Sequence, residues 1–417
     1  MPRVGRPVGA GPMKIVYLHQ YFNSPAMAGG TRSYEMARRL VAAGHEVDLV
    51  TSWREPSASR DWFVTEEAGI RVHWLPVEYS NSMNAQQRIR AFLRFAWASA
   101  RKAAELGGDV VFATSTPLTI ALPGIYASRR RRVPMVFEVR DMWPEVPIAI
   151  GALRNPLLVW AARTLEKFAY NYSAHIVALA PGMGADIVAT GIAPEKVTII
   201  PNGCDLDVFG GSSASTSHRE RHAWLGTRKL VLYAGALGRA NGVGYLVRLA
   251  TEVHARDPDV RFVVIGEGAE KEVVRDAARR AGLLDASFFM LDQMPKRELA
   301  SWLHAANFVV ALFTGPRVIW KDAVQNKFFD ALAAGKPIAN NFDGWQSQIA
   351  QDEGVGLILD PDDVALAAHQ LLSVLHDERW LEAVPKRALN LARTRFERGL
   401  LAAKLELVLT TVVRQRR

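Results

Sequence analysis

"KLVLYAGALGRANG" occupies residues 229–242. Its first six residues are almost wholly apolar or aliphatic, without alternation, as in a strand buried on both faces. Glycines follow at 235, 238 and 242, where a chain can turn tightly and its backbone can approach a ligand. Arg239, inside that turn, offers a fork that clamps a diphosphate. A strand running into a glycine turn is how a nucleotide-binding α/β unit begins. Here it begins in mid-chain, directly after "GGSSASTSHRERH" (210–222), a small, polar stretch that reads as a linker. The chain therefore starts a second α/β unit near residue 229.

Reading outward from this point gives two strand sets. Before the linker come "KIVYL" (14–18), "EVDLVTS" (46–52), "IRVHWL" (70–75), "DVVFA" (109–113), "PMVFEV" (134–139), "AHIVAL" (174–179) and "KVTII" (196–200). After it come "KLVLYA", "VRFVVI" (260–265), "SFFML" (287–291), "NFVVAL" (307–312), "PIAN" (337–340) and "VGLIL" (355–359). Amphipathic stretches such as 31–43 and 157–169 separate the strands. This is the pattern of parallel, doubly wound sheets. The expected fold is α/β with two facing Rossmann-like domains: 13–209, a linker at 210–226, a second domain at 227–390, and a C-terminal helix at 391–417 returning to the first. Ligands are expected in a cleft between the carboxyl ends of the two sheets.

Composition narrows the function. The 417 residues suffice for two cores. A net charge of +9 suggests a polyanionic partner. One cysteine, Cys204, excludes a disulfide framework and a multi-cysteine zinc site. Ten scattered histidines show no ligand spacing, so no metal is expected. Residues 1–12 read as a loose extension, with Met13 a candidate start, and contain no signal-peptide core. No apolar run approaches the roughly 18 residues of a membrane span. Nucleic acid is not expected, because no basic-aromatic binding module is present.

"NKFFDALAAGKP" (326–337) follows the strand 307–312 and a loop. Asn326 is read as its N-cap, with Gly335 and Pro337 as the stop. The free N–H groups and dipole of such a helix form an anion site, and Lys327 adds a full charge. Asp330, one turn in, can accept two ribose hydroxyls. A plain core helix with a polar cap is the other reading of this stretch alone. "VVIGEG" (263–268) supplies a further strand and turn, with Gly266 and Glu267. Three such turns favour a nucleotide. The first domain has its own loop, ending in Gly29 and Gly30 at a helix start. It is not the dinucleotide GxGxxG, which disfavours NAD.

From Met13 onward the chain resembles the retaining GT-B glycosyltransferases of family 4, or "group 1". The resemblance rests on the N-terminal glycine loop, "IPNGCDLDVF" (200–209), the "YAG" turn, "IGEG" and "NKFFDALAAGKP". It implies a nucleotide-sugar donor, UDP- or GDP-linked, used as substrate, with no separate cofactor and no metal. Two glutamates eight residues apart are usual in the family; Asp322 and Asp330 stand there. The resemblance makes Asp330 the ribose ligand and puts Asp322 near the donor sugar and its phosphate. The usual Arg…Lys pair aligns with Ala236 and Asn241, so Arg239 and Lys327 are expected to serve the diphosphate. Arg140-Asp141 stands where many members have His-Asp. In such a reaction the acceptor hydroxyl attacks from the leaving-group side and a donor phosphate oxygen takes its proton. Asp205-Leu206-Asp207 is read as structural.

"RDMWPE" (140–145), "GRANG" and the 326–337 helix are most similar to the branch building bacterial surface polysaccharides, including L-fucosamine transferases. That implies a polyprenyl-diphosphate-linked saccharide acceptor at the cytoplasmic membrane face. A nucleotide-sugar 2-epimerase of the same fold and a sugar-binding protein are the alternatives. "QQRIRAFLRFAWASARK" (86–102) is the membrane candidate. Ile89, Phe92, Leu93, Ala96, Trp97 and Ala100 share one expected face, with Arg90, Arg94 and Arg101 beside it. "SRRRRVP" (128–134) could hold lipid headgroups or a lipid diphosphate, or form a solvated turn.

Overall fold

The computed structural model describes residues 11–416, except residues 28, 56, 58, 79–82, 84 and 212–218. Most of the N-terminal extension and the middle of the linker thus lie outside the described residues. The chain divides into two compact units, one of residues 1–201 with 398–417, the other of residues 202–397.

The first unit is an eight-stranded sheet in the order β3-β4-β2-β1-β5-β6-β7-β8. Its strands are β1 (Lys14–Leu18), β2 (Glu46–Trp53), β3 (Phe63–Glu67), β4 (Ile70–Pro76), β5 (Val110–Thr114), β6 (Met135–Val139), β7 (His175–Ala178) and β8 (Val197–Ile199). All pair in parallel except β3, which runs antiparallel to β4 at the edge. β1 and β5 are the only neighbours joined across the reversal of strand order, the place where α/β sheets bind ligands. β1 places alternate side chains on opposite faces. Ile15 and Tyr17 join a core with α1 (Arg32–Ala42) and with Leu401, Leu405 and Leu409 of the C-terminal helix Arg398–Arg414. Leu18 points the other way, toward Gly124 of α3 (Ala121–Arg131), where an added Cβ would lie 2.8 Å from the Met135 sulfur. α3 packs beside α2 (Ala85–Leu106) and α5 (Pro156–Tyr172); the short α4 (Glu145–Ala149) precedes α5.

The second unit is a six-stranded parallel sheet, β11-β10-β9-β12-β13-β14. Its strands are β9 (Leu230–Ala234), β10 (Arg261–Ile265), β11 (Phe288–Leu291), β12 (Phe308–Ala311), β13 (Ile338–Asn340) and β14 (Gly356–Ile358). Separate apolar clusters cover its two faces. Two parallel, doubly wound α/β units agree with the sequence reading. Its one omission among the strands is β3, whose "FVTEE" is half polar and mostly exposed because only one edge is paired.

Candidate active site

Three segments of the second unit converge beyond the carboxyl ends of its strands. The turn after β9 and the turn after β10 interlock through their backbones. Gly235 N–H donates to the Ile265 carbonyl at 2.9 Å, and Leu237 N–H to the Glu267 carbonyl at 2.8 Å. A Cβ on Gly266 would lie 1.9 Å from the Gly235 oxygen, so only glycine permits this approach. The loop after β12 closes the group: Thr314 N–H donates to the Ala240 carbonyl at 2.9 Å.

The helix Asn326–Ala333 starts against this assembly. Its N-cap is Gln325, not Asn326 as expected from sequence; Asn326 is the first helical residue, and its carbonyl Oδ1 accepts from Asn202 at 2.9 Å. Gln325 makes no side-chain cap. The buried Gln346 holds the helix start instead, its Oε1 accepting from Gln325 N–H at 2.8 Å and its Nε2 donating to the Gln325 carbonyl at 3.2 Å. No sequence pattern marks Gln346, an amide twenty-one residues downstream.

Lys327 lies where the helix meets the β9 turn. Its ammonium sits 4.7 Å from the centre of the Tyr233 ring, and a Cβ on Gly235 would approach Nζ to 2.8 Å. The residue keeps some exposure, but the desolvated ammonium is pushed down to about 8, with Asp330 opposing that shift. Asp330 is partly buried one turn on. Asp322 is buried in the preceding loop, 3.9 Å from Lys321 Nζ. Arg239 is exposed in the β9 turn just past Gly238, and no ion pair holds it among the described residues. Glu267 differs: Lys271 pairs with it and also with Asp292, at 2.6 Å. The structure thus gathers Gly235, Gly238, Arg239, Gly266, Glu267, Asn326, Lys327 and Asp330 at one end of one sheet. Together they offer two cations, helix N–H groups and a carboxylate, a set suited to a diphosphate and a sugar hydroxyl pair. Asp205 faces elsewhere, paired to Lys296 at 2.9 Å.

In the first unit, a second group surrounds the carboxyl ends of β1, β5 and β6. Arg140 Nη1 donates to His19 Nε2 at 3.0 Å. A guanidinium can only donate, so Nε2 is the unprotonated nitrogen and Nδ1 carries the hydrogen. Burial, with Arg140 and Arg54 nearby, holds the imidazole well below its usual range. Asp141 is exposed and accepts from Thr116 Oγ1 at 2.7 Å. Gly29 has a φ of 123°, and a Cβ there would lie 2.6 Å from Asn23 Nδ2. That same Nδ2 donates to the Gly30 carbonyl at 3.3 Å, fixing the loop. Below it, Arg32 pairs with buried Glu138 at 2.7 Å and donates to the carbonyl of Ile200 at 2.7 Å. Burial would raise Glu138, but Arg32, with Arg140 and the Thr114 hydroxyl, outweighs it and holds the carboxyl below its usual value. His19, Arg32 and Glu138 were not singled out from sequence.

α2 corrects one expectation. The expected apolar face is not wholly exposed: Ala96 and Ala100 are buried, as are Ala91 and Phe95 beside it, while Ile89, Leu93 and Trp97 are exposed. Trp97 is 67% exposed, with the Arg101 guanidinium 4.6 Å above its ring. Arg90 and Arg94 are exposed beside them. The arginine run 129–132 is also divided. Arg131 caps α2 by donating to the Glu105 carbonyl at 2.9 Å, while Arg129 lies 5.4 Å from Phe168 and 5.0 Å from Tyr172.

Comparison with known proteins agrees with this architecture. Residues 28–203 match the glycosyl transferase 4-like domain, and residues 214–391 match glycosyl transferases group 1. The chain is 24% identical over 393 residues to a GDP-mannose-dependent alpha-(1-6)-phosphatidylinositol monomannoside mannosyltransferase of Mycobacterium tuberculosis, covering 91% of this chain and 94% of that protein. It is 22% identical over 340 residues to the alpha-monoglucosyldiacylglycerol synthase of Acholeplasma laidlawii, covering 78% and 79%. Among solved structures, Anabaena Alr3699/HepE in complex with UDP superposes with a TM-score of 0.72 at 16% identity, covering 96% of this chain and all of that one, 100%. With both halves matched and the double α/β architecture in place, the chain belongs to the GT-B glycosyltransferases.

Proposed function

We propose that the protein moves a sugar, with retention and without a metal, from a UDP- or GDP-linked donor to a polyprenyl-diphosphate-linked saccharide. The process would be bacterial surface polysaccharide synthesis, at the inner face of the cell membrane. The observation that carries the donor half is the desolvated Lys327 ammonium beside the Gly235 turn, with Arg239, which no ion pair holds among the described residues, on the same turn. A departing nucleotide diphosphate gathers negative charge. Two cations and the N–H groups of the helix Asn326–Ala333 stabilise that charge as it develops. Asp330 takes the ribose and Asp322 the region of the donor sugar. Arg140, Asp141 and the Gly29-Gly30 loop serve the sugars from the first unit. A relative named for a GDP-mannose donor and a neighbour solved with UDP support the donor class. Relatives whose names carry phosphatidylinositol monomannoside and monoglucosyldiacylglycerol support a lipid-borne acceptor. Arg90, Arg94, Trp97 and Arg101 of α2 would then contact anionic lipid.

The test is thermal melting with UDP, GDP and UDP-GlcNAc for the wild type, Lys327→Met and Asp330→Ala. At least one nucleotide should raise the wild-type midpoint. Asp330→Ala should weaken its binding by about 1–3 kcal/mol, the scale of a charged hydrogen bond. A wild type indifferent to every nucleotide would sink the donor reading.

A further inference from the structure

The outward side of α5 is apolar. Leu157, Trp160, Ala161, Thr164 and Phe168 recur at helical spacing on one stripe, and all are exposed. Leu157 is 76% exposed and Trp160 68%. The inward side instead carries buried Glu166 and Tyr170, hydrogen-bonded to each other at 3.0 Å. A helix facing water has the opposite polarity. The polar groups on the outward stripe are already satisfied. Thr164 donates its hydroxyl to the Trp160 carbonyl at 2.8 Å. At the first turn, Asn155 Oδ1 accepts from Leu157 N–H at 2.9 Å and Leu158 N–H at 3.3 Å, while Pro156 has no N–H to leave unpaired. This helix start can enter an apolar medium without stranding those donors.

The neighbouring helices continue the surface. Leu122 and Tyr126 are exposed on α3, and Ile89, Leu93 and Trp97 on α2. More than half of the exposed large hydrophobic side chains among the described residues lie on these three helices. A concentration of this kind marks a surface with a partner. Cations rim it. α2 bears Arg88, Arg90, Arg94, Arg101 and Lys102 against one acid, Glu105. α3 ends in three arginines and has no acid. α5 bears Arg163 and Lys167, and its one acid, Glu166, is buried. A second copy of the chain would bring like charges together across such a face. Aromatic side chains mixed with arginines suit the headgroup boundary of an anionic bilayer. No helix among the described residues is long and apolar enough to cross a membrane, so contact of this kind is interfacial.

We infer that α2, α3 and α5 form one docking face for an anionic bilayer, with the apolar stripe of α5 inserted at the headgroup–acyl boundary. This extends the membrane part of the proposed function, which invoked α2 alone. The test uses the full chain. Cys204 is buried, so a cysteine introduced by Leu157→Cys or Phe168→Cys can be labelled selectively with an environment-sensitive dye. Leu366→Cys, exposed in the second unit, is the control. On phosphatidylglycerol vesicles the dye at 157 and 168 should shift to the blue, and the dye at 366 should not. Leu157→Glu/Trp160→Glu should weaken co-sedimentation about tenfold or more. If this double variant pellets like the wild type and the dyes at 157 and 168 do not shift, while Arg90→Glu/Arg94→Glu/Arg101→Glu abolishes pelleting, α2 docks alone and the inference fails. If the wild type never pellets, the membrane part of the proposed function fails too, and nucleotide melting still judges the donor half. A vesicle-free dimer that Trp160→Glu disperses would assign the face to a second copy and overturn the inference.

Discussion

At the scale of single residues, Lys327 couples stability, pH and ligand binding. Its folded pKa of about 8 lies below the ordinary 10.5, with desolvation as the leading cause. Between those two values the unfolded chain holds more protons than the native one. Stability from this group therefore rises with pH across that window. At pH 7 the burial is unfavourable by at most about 3 kcal/mol. Lys327→Met should accordingly raise the melting temperature of the unliganded protein at pH 7, and the gain should shrink toward pH 10. A bound diphosphate restores the favoured charge, so nucleotide binding near pH 8 should take up a proton. Calorimetry in buffers of different ionisation enthalpy reads that proton directly. Equal heats in all buffers would mean that the diphosphate does not meet Lys327. Arg239 makes a kinetic counterpart. If it stabilises the leaving group, Arg239→Ala should lower kcat on the order of 10²–10³-fold. A change confined to KM would show uniform binding instead. Lys327 and Arg239 were legible because each sits inside a short local signature. The His19–Arg140 pair was not, since its partners are 121 residues apart and meet only when β1 and β6 enter one sheet.

At the scale of elements, period and composition located the strands but not the orientation of every helix. Near-continuous apolar runs marked β9, β10 and β12, because strands covered on both faces have no polar positions to spare. α5 had equally clear helical spacing at 157–169. Its apolar stripe turned outward, however, and Glu166 turned in. Periodicity gives the angle between stripes and cannot say which stripe meets the sheet. α2 failed similarly, because alanines at 91, 96 and 100 fill the narrow space beside the sheet while larger Leu93 and Trp97 stay outside. The helix Asn326–Ala333 shows the converse: its type and place were legible, its anchoring was not. Gln346 satisfies both backbone groups of Gln325. Gln346→Ala would leave the half-buried Gln325 N–H unpaired, while the carbonyl keeps Phe328 N–H at 3.2 Å, a loss of about 1–3 kcal/mol in the second unit. It should also weaken nucleotide binding, although Gln346 belongs to none of the expected ligand contacts. Denaturant titration with and without nucleotide separates the two effects. A variant as stable as wild type would show that the helix start holds itself.

At the scale of the whole molecule, the chain crosses from the first unit to the second near Pro201 and returns near Arg398. The returning helix is not an appendage. Leu401, Leu405, Leu409, Val412 and Val413 are buried with Ile15, Tyr17 and Met36 in the core of the first unit. His45 Nε2 also lies 3.1 Å from Glu406. The second unit has its own clusters, drawn from residues 204–396. A chain ending at Glu397 should therefore damage one unit selectively. Removing five large apolar side chains exposes the face of α1 and the sheet beneath it, at roughly 1.5–3 kcal/mol per side chain, a total of the same size as a typical margin of about 5–15 kcal/mol. The first unit of the truncated protein should unfold or aggregate, with early loss of amide protection in β1, β2 and α1. The second unit should keep protection in β9, β10 and β12 and should still bind the nucleotide, because every donor-site group from Gly235 to Asp330 lies within it. Hydrogen exchange with and without nucleotide reads both outcomes in one experiment. Uniform loss of protection in both sheets would show that the second unit folds only with the first. Retained protection in β1 would show that the C-terminal helix is dispensable to the core it fills.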